Sequence, residues 1–220
     1  MAAFRAAVAM GFAIELDVRV SRDGVAMVFH DVELDRLCGR AGALAEHDAA
    51  QLTSLKLLGT DEHIPTLEQT LGAVAGRVPV LIEVKLSPSQ SIERLGRAVV
   101  AAIKGYGGAL AMQSFDPRIV AWFRRHMPRL PRGQLASDLR EMAPTSSAAR
   151  LALRVMLARR HGRPQFLGYD VRYLPSAMAR AARRDGLAVL AWTVRNAADR
   201  RRARDHADNI IFERAGEPGH

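Results

Sequence analysis

The sequence has one cysteine, few aromatic residues and no long hydrophobic run. The single cysteine, Cys38, excludes an internal disulfide and fits a reducing compartment, so we expect a cytoplasmic location. No stretch approaches the ~20 apolar residues that a transmembrane helix needs, which predicts a chain without stable membrane insertion. Aromatic residues make up only 5% of the chain. This low content argues against a stacking platform for nucleic-acid bases.

Positive charge is abundant, with a formal net charge of +9 and a pI near 10.8. Most arginine clusters, such as Arg124-Arg125 and Arg183-Arg184, fall at the ends of predicted helices. Cations are favourable there because they oppose the helix dipole. We therefore interpret them as a solvated surface that attracts phosphate groups rather than as a nucleic-acid site. Steep salt dependence of DNA retention would support the nucleic-acid alternative.

Strand-like and helix-like segments alternate along the whole chain, which predicts an α/β fold built from βαβ units. We expect one domain over residues 1–220, with a connecting excursion at about 31–64. Strands are predicted to begin near residues 13, 79, 109, 132, 166, 187 and 208. Helices are predicted over 2–10, from 65–66 onward, and over 91–106, 116–127, about 146–160, 175–186 and 196–206.

A doubly wound sheet and a (β/α)₈ TIM-type barrel both fit this alternation. Polar and acidic residues lie near the ends of several different strands, which favours the barrel. A barrel of this type needs eight strands, whereas the sequence shows seven and starts with a helix. We therefore expect the first barrel strand to be missing from this chain.

Carboxylates interrupt two of the predicted strands. Glu15 and Asp17 in IELDVRV point to the same side, because side chains alternate along a strand, and that side is expected to be apolar interior. Glu83 in VPVLIEVK is a third such acid. Buried carboxylates must be paired, protonated or metal-bound. One acid alone would be explained by a salt bridge, but three favour an oxygen-ligand site for Mg²⁺ or Ca²⁺.

Two further residues accompany the acids. His30 follows the second extended run, VAMVF, and precedes Asp31, a carboxylate that could orient the imidazole. A histidine so placed is a candidate general acid or base. Lys85 lies two residues beyond Glu83 on the same face, where it could pair with an acid or with a substrate phosphate.

The stretch GFAIELDVRVSRDGVAMVFHDVELDRLCG resembles the signature of the glycerophosphodiester phosphodiesterase family. That signature runs G-x-x-x-E-x-D-V-x-x-[ST]-x-D-G-x-x-V-x-H-D-x-x-L-x-R. The resemblance continues, in order, through IPTLEQTL, VPVLIEVK, SFDPRIVAWFRR, AWTVRNAADRR and ADNIIFE, and so covers essentially the whole chain.

The resemblance implies a (β/α)₈ barrel that hydrolyses glycerophosphodiesters to glycerol 3-phosphate and an alcohol, using a divalent metal and two histidines. It implies that Glu15, Asp17 and Glu83 are the metal ligands and that His30 is one of the two acid/base histidines. It further implies that Lys85 helps to hold the phosphate. Trp192 would line the glycerol end of the pocket, although barrel packing explains this tryptophan nearly as well.

The family pattern begins with a strand that ends in His-Arg-Gly, followed by a Glu-Asn-Thr loop. This sequence starts at the next helix, MAAFRAAVAM. We therefore expect the other histidine, its neighbouring arginine and a metal-binding glutamate to be absent, and turnover by this chain to be weak or undetectable. Translating the DNA upstream of Met1 would show whether the start is misassigned.

Two alternatives share the same residues. One is a barrel remnant that binds glycerophosphodiesters without cleaving them. The other is a related barrel phospholipase that acts on lysophospholipid-like substrates, but the disulfide-forming cysteines and apolar membrane loop expected of that type are not evident in the sequence. The alcohol moiety, the choice between Mg²⁺ and Ca²⁺, and the oligomeric state stay open, since a homo-oligomer could supply a missing strand.

Overall fold

The structure is a computed structural model that describes residues 1–137 and 161–213. The helix predicted at about 146–160 lies outside the described residues. None of the helices among the described residues is both long enough and apolar enough to cross a bilayer. The chain divides into two compact units, Met1–Met112 and Gln113–His220.

The first unit contains three whole strands and most of a fourth, and the order of neighbours is β2-β1-β3-β4. Strand β1 pairs with β3 in parallel and with β2 in antiparallel orientation. The division between the two units falls within β4. The strands are β1 (Ile14–Val20), β2 (Ala26–Val28), β3 (Val80–Val84) and β4 (Leu110–Ser114).

The antiparallel strand β2 results from a tight turn. The Ser21 amide donates to the Val25 carbonyl over 3.0 Å, and Gly24 adopts a positive φ of 92°. Glycine adopts this conformation at little cost because it has no Cβ. The sequence predicted that VAMVF is a second extended run. The turn reverses the chain, so this run forms β2 and pairs antiparallel with β1.

Five helices belong to the first unit, and the excursion at 31–64 contains two of them. The excursion packs its own core of Leu34, Leu44, Leu52 and Ile64 with the Met27 and Phe29 side chains. Helix α4 begins after Thr66, which forms a capping box with Gln69. The helices are α1 (Ala2–Ala9), α2 (Asp35–Cys38), α3 (Ala49–Ser54), α4 (Leu67–Val74) and α5 (Ile92–Ile103).

The second unit holds four further strands, which are all parallel and are ordered β5-β6-β7-β8. Asp116 caps α6 with Pro117 at its first position, and Asn196 caps α8, each at the start of a predicted helix. The elements are α6 (Pro117–His126), β5 (Arg132–Ala136), β6 (Phe166–Asp170), α7 (Ala177–Arg184), β7 (Ala188–Val194), α8 (Ala197–His206) and β8 (Asn209–Phe212).

All seven predicted strands are present, and each begins within one residue of the expected position. The α/β class is therefore confirmed. One expectation about β1 was wrong. Its side chains do alternate, but the face that carries Glu15 and Asp17 is half-buried, whereas Ile14, Leu16 and Val18 are buried. The acidic face lines a cavity instead of an apolar interior.

Candidate active site

Strand pairing brings the three predicted metal-binding carboxylates together. The parallel register sets Asp17 of β1 directly opposite Glu83 of β3, and Glu15 lies two residues earlier on the same face of β1. One carboxylate oxygen from each residue lies within 4.8 Å of the others. This spacing allows all three oxygens to contact one cation.

The most buried member of the cluster is Glu83, which is 8% exposed. Burial raises the pKa of Glu83 from 4.5 to about 7. The positive charge of Lys85 opposes this rise, and the negative charge of Asp17 adds to it. A cation bound beside Glu83 would lower this pKa and favour the ionised carboxylate.

Lys85 partners the acids. Its Nζ lies 2.9 Å from Asp17 Oδ1 and 3.4 Å from Glu83 Oε1, and its backbone amide donates to the Val18 carbonyl over 3.0 Å. The ammonium group is thus the counter-ion of two of the three carboxylates. The role of Lys85 in holding a substrate phosphate stays a prediction.

The donor set fits a hard divalent cation. All three ligand groups are carboxylates, and oxygen ligands are those that Mg²⁺ and Ca²⁺ prefer. The residues could therefore hold a divalent metal, and the donor set alone does not select the ion.

His30 is oriented by its neighbour Asp31. The imidazole Nδ1 lies 2.6 Å from Asp31 Oδ1. Arg36 contacts the same carboxylate through Nε and Nη2, at 2.7 and 2.8 Å. Hydrogen bonds from Arg36, opposed by partial burial and helped by His30, lower the pKa of Asp31 to about 2.

An ionised Asp31 has consequences for the tautomer of His30. A carboxylate only accepts hydrogen bonds, so Nδ1 is the donor and carries a proton. The other ring nitrogen, Nε2, then holds either a lone pair or the second proton, as a general base or acid requires.

A cavity of about 330 Å³ in the first unit brings two of the three acids together with the histidine. Glu15, Asp17, His30 and Arg36 line it together with apolar side chains from α1, α2 and the excursion. The hairpin explains this proximity, because the Phe29 amide donates to the Asp17 carbonyl over 3.0 Å. His30 is therefore delivered beside the strand that carries the acids.

Arg19 and Arg36 are residues of this region to which the sequence assigned no role. Arg36 occupies the final arginine of the H-D-x-x-L-x-R pattern. Arg19 continues the Glu15–Asp17 face of β1 by one more step of two residues, so the strand period could have placed it. It is 7% exposed, and burial lowers its pKa while the charges of Asp17, Asp31 and Glu83 raise it.

The last predicted site residue, Trp192, lies on β7 of the second unit. Its ring meets Phe115 edge to face, with centroids 5.5 Å apart and planes at 87°. The buried Nε1 has no hydrogen-bond partner among the residues that the structure describes. The role of Trp192 in substrate binding stays a prediction.

Cys38 has no sign of an activated thiol. Burial raises the pKa of its side chain, which disfavours the nucleophilic thiolate. Cys38 therefore fits a structural role at the end of α2.

Solved structures of similar fold identify the fold of this chain. A phosphodiesterase of Oleispira antarctica, solved with the product sn-glycerol-3-phosphate, matches with a TM-score of 0.80 at 21% identity, over 96% of this chain and 85% of that one. The glycerophosphodiester phosphodiesterase of Thermotoga maritima matches with a TM-score of 0.74 at 24% identity, over 96% and 86%. The fold is α/β, of the TIM-barrel type.

The sequence comparisons define the family. The sequence model of the glycerophosphoryl diester phosphodiesterase family matches residues 1–216, and the chain belongs to this family of phosphoric diester hydrolases. The glycerophosphodiester phosphodiesterase of Bacillus subtilis is 26% identical over 221 residues, which cover 90% of this chain and 72% of that protein.

Proposed function

We propose that the chain hydrolyses glycerophosphodiesters to glycerol 3-phosphate and an alcohol, with a divalent cation held by Glu15, Asp17 and Glu83. The observation that carries this proposal is the cluster of three carboxylates in register on β1 and β3, beside a cavity that His30 also lines. Family membership and the glycerol-3-phosphate complex of the Oleispira antarctica protein support the substrate class.

The cation is Mg²⁺ or Ca²⁺ in this proposal. When bound, it would neutralise charge on the phosphodiester oxygens and stabilise the charge that develops during displacement. Glu83 would hold such a cation in its ionised form. Lys85, which pairs with Asp17 and Glu83, has a donor to offer the substrate phosphate.

His30 moves the proton. Asp31 accepts from Nδ1, so Nε2 faces the reaction as the atom that takes or gives a proton. Arg36 keeps Asp31 ionised and in place, which preserves this tautomer. Removing one member of an acid/base pair typically costs ~10²–10⁴-fold in rate.

Trp192 binds the glycerol end of the substrate in this proposal. The partner is a small-molecule diester, not nucleic acid or membrane, and we propose a single domain that acts in the cytoplasm.

Release of glycerol 3-phosphate from glycerophosphocholine tests the proposal. The purified chain is assayed with Mg²⁺, with Ca²⁺ and after treatment with a chelator. His30→Gln and Glu83→Gln are the site variants. Arg118→Lys is the control, because Arg118 is an exposed residue of the second unit that forms an ion pair with Asp116.

Cation-dependent release that both site variants lose, and that the control keeps, is the expected result. Release that persists in His30→Gln, or after complete removal of metal, would contradict the proposed roles. Cation-dependent binding of glycerophosphocholine without release would instead support the non-catalytic alternative.

A further inference from the structure

Arg19 is a buried cation near the C-terminal end of β1, on the face that carries the acids. It follows Glu15 and Asp17 at successive steps of two residues, so its side chain leaves the strand on their side. Only 7% of the residue is exposed, and arginine is rarely buried so deeply unless it is paired. The role proposed for the three acids and His30 does not account for this arginine.

The Arg19 side chain forms a hydrogen bond with the backbone of His30. Its Nε donates to the backbone carbonyl of His30 over 2.9 Å, and its Nη1 lies 3.5 Å from Oγ of the buried Ser87. One residue earlier, the Phe29 amide donates to the Asp17 carbonyl. Two successive links therefore tie the segment Phe29–His30 to β1, one through its backbone and one through the Arg19 side chain.

We propose that Arg19 is a positioning residue that fixes the backbone of His30 relative to the carboxylates, so that the imidazole is held at the reacting phosphate. The inference rests on the proposed function, because it assigns a role to His30 in that reaction. Arg19 itself contacts neither substrate nor cation in this proposal.

Arginine suits this task better than lysine. The planar guanidinium directs Nε at one acceptor while its other nitrogens reach a second, whereas a lysine ammonium is a point charge on a flexible stem. Its charge also faces the carboxylates of Asp17, Asp31 and Glu83. Lysine at this position would keep the charge and lose the directed hydrogen bond to His30.

The test compares Arg19→Lys with Arg132→Lys. Arg132 is a matched control because it is 6% exposed and also donates to backbone carbonyls, with its Nε 2.7 Å from Gly162 O. It lies in the second unit. Arg19→Gln is a second variant, which removes the charge as well, and thermal melting establishes which variants are folded.

The first measurement is made on the metal-free chain and needs no turnover. ¹⁵N-labelled histidine reports the Nδ1–H of His30 that Asp31 accepts. We expect a distinct signal in the native chain and in Arg132→Lys, and an exchange-broadened or absent signal in Arg19→Lys and Arg19→Gln. An unchanged signal in both Arg19 variants would overturn the inference.

The second measurement separates kcat from KM with glycerophosphocholine and Mg²⁺. A displaced general acid or base lowers kcat, and a misplacement of about 1 Å can cost on the order of 10²-fold. We expect Arg19→Lys to lose about 10- to 100-fold in kcat with KM nearly unchanged, whereas Arg132→Lys keeps its kcat. A rise in KM alone would contradict a positioning role.

The two measurements keep the proposals distinguishable. If the native chain shows no cation-dependent release at all, the proposed function fails, and the metal-free signal of His30 still decides whether Arg19 positions it.

Discussion

The raised pKa of Glu83 predicts that cation binding depends steeply on pH. The metal-free carboxyl holds its proton up to about pH 7, whereas a bound cation requires the carboxylate. Between about pH 5.5 and about pH 7.5 the ionised fraction of Glu83 rises from ~3% to ~75%, so the affinity should rise ~25-fold. A carboxyl with an ordinary pKa would change the affinity only ~1.1-fold over this range.

Isothermal titration with Mg²⁺ or Ca²⁺ measures this dependence directly. Binding should release about 0.8 proton at about pH 6.5 and almost none above about pH 8.5, as determined in buffers of different ionisation enthalpy. His30→Gln serves as the background chain, because it removes the imidazole from the cavity and keeps the three carboxylates. An affinity that is flat between these pH values in both chains would refute the reasoning about Glu83.

Two further predictions concern the same contacts. An acid with a raised pKa loses folding stability as pH rises from its ordinary value of 4.5 through about 7. Glu83→Gln should therefore raise the melting temperature of the metal-free chain at about pH 8, where the ionised carboxylate costs up to ~3 kcal/mol. At about pH 5 the effect should be much smaller, because less than ~1 kcal/mol of this cost is present there. Lys85→Met should tighten Mg²⁺ binding, since the ammonium 2.9 Å from Asp17 Oδ1 no longer competes for the acids, while KM for glycerophosphocholine rises; weaker Mg²⁺ binding in titration calorimetry would contradict this.

The periodic pattern of the sequence was enough to predict the strand positions and the residues that share a strand face. Alternation along IELDVRV places Glu15 and Asp17 on one face, and the spacing of strand and helix patterns locates seven strands. These features are local, because backbone geometry fixes which side chains share a face. Helix caps such as Asp116 and Asn196 are predictable for the same reason.

Pairing across strands was decided only by the tertiary structure. The register that sets Asp17 against Glu83, the hairpin that returns His30 to β1, and the ion pairs of Lys85 join residues far apart in sequence. Burial is likewise a property of the packed chain, so the sequence identified Glu83 as an acid but could not show that its pKa rises to about 7. The sequence determined which chemical groups are present, and packing determined their charge states and partners, because both depend on distance and on exclusion of water.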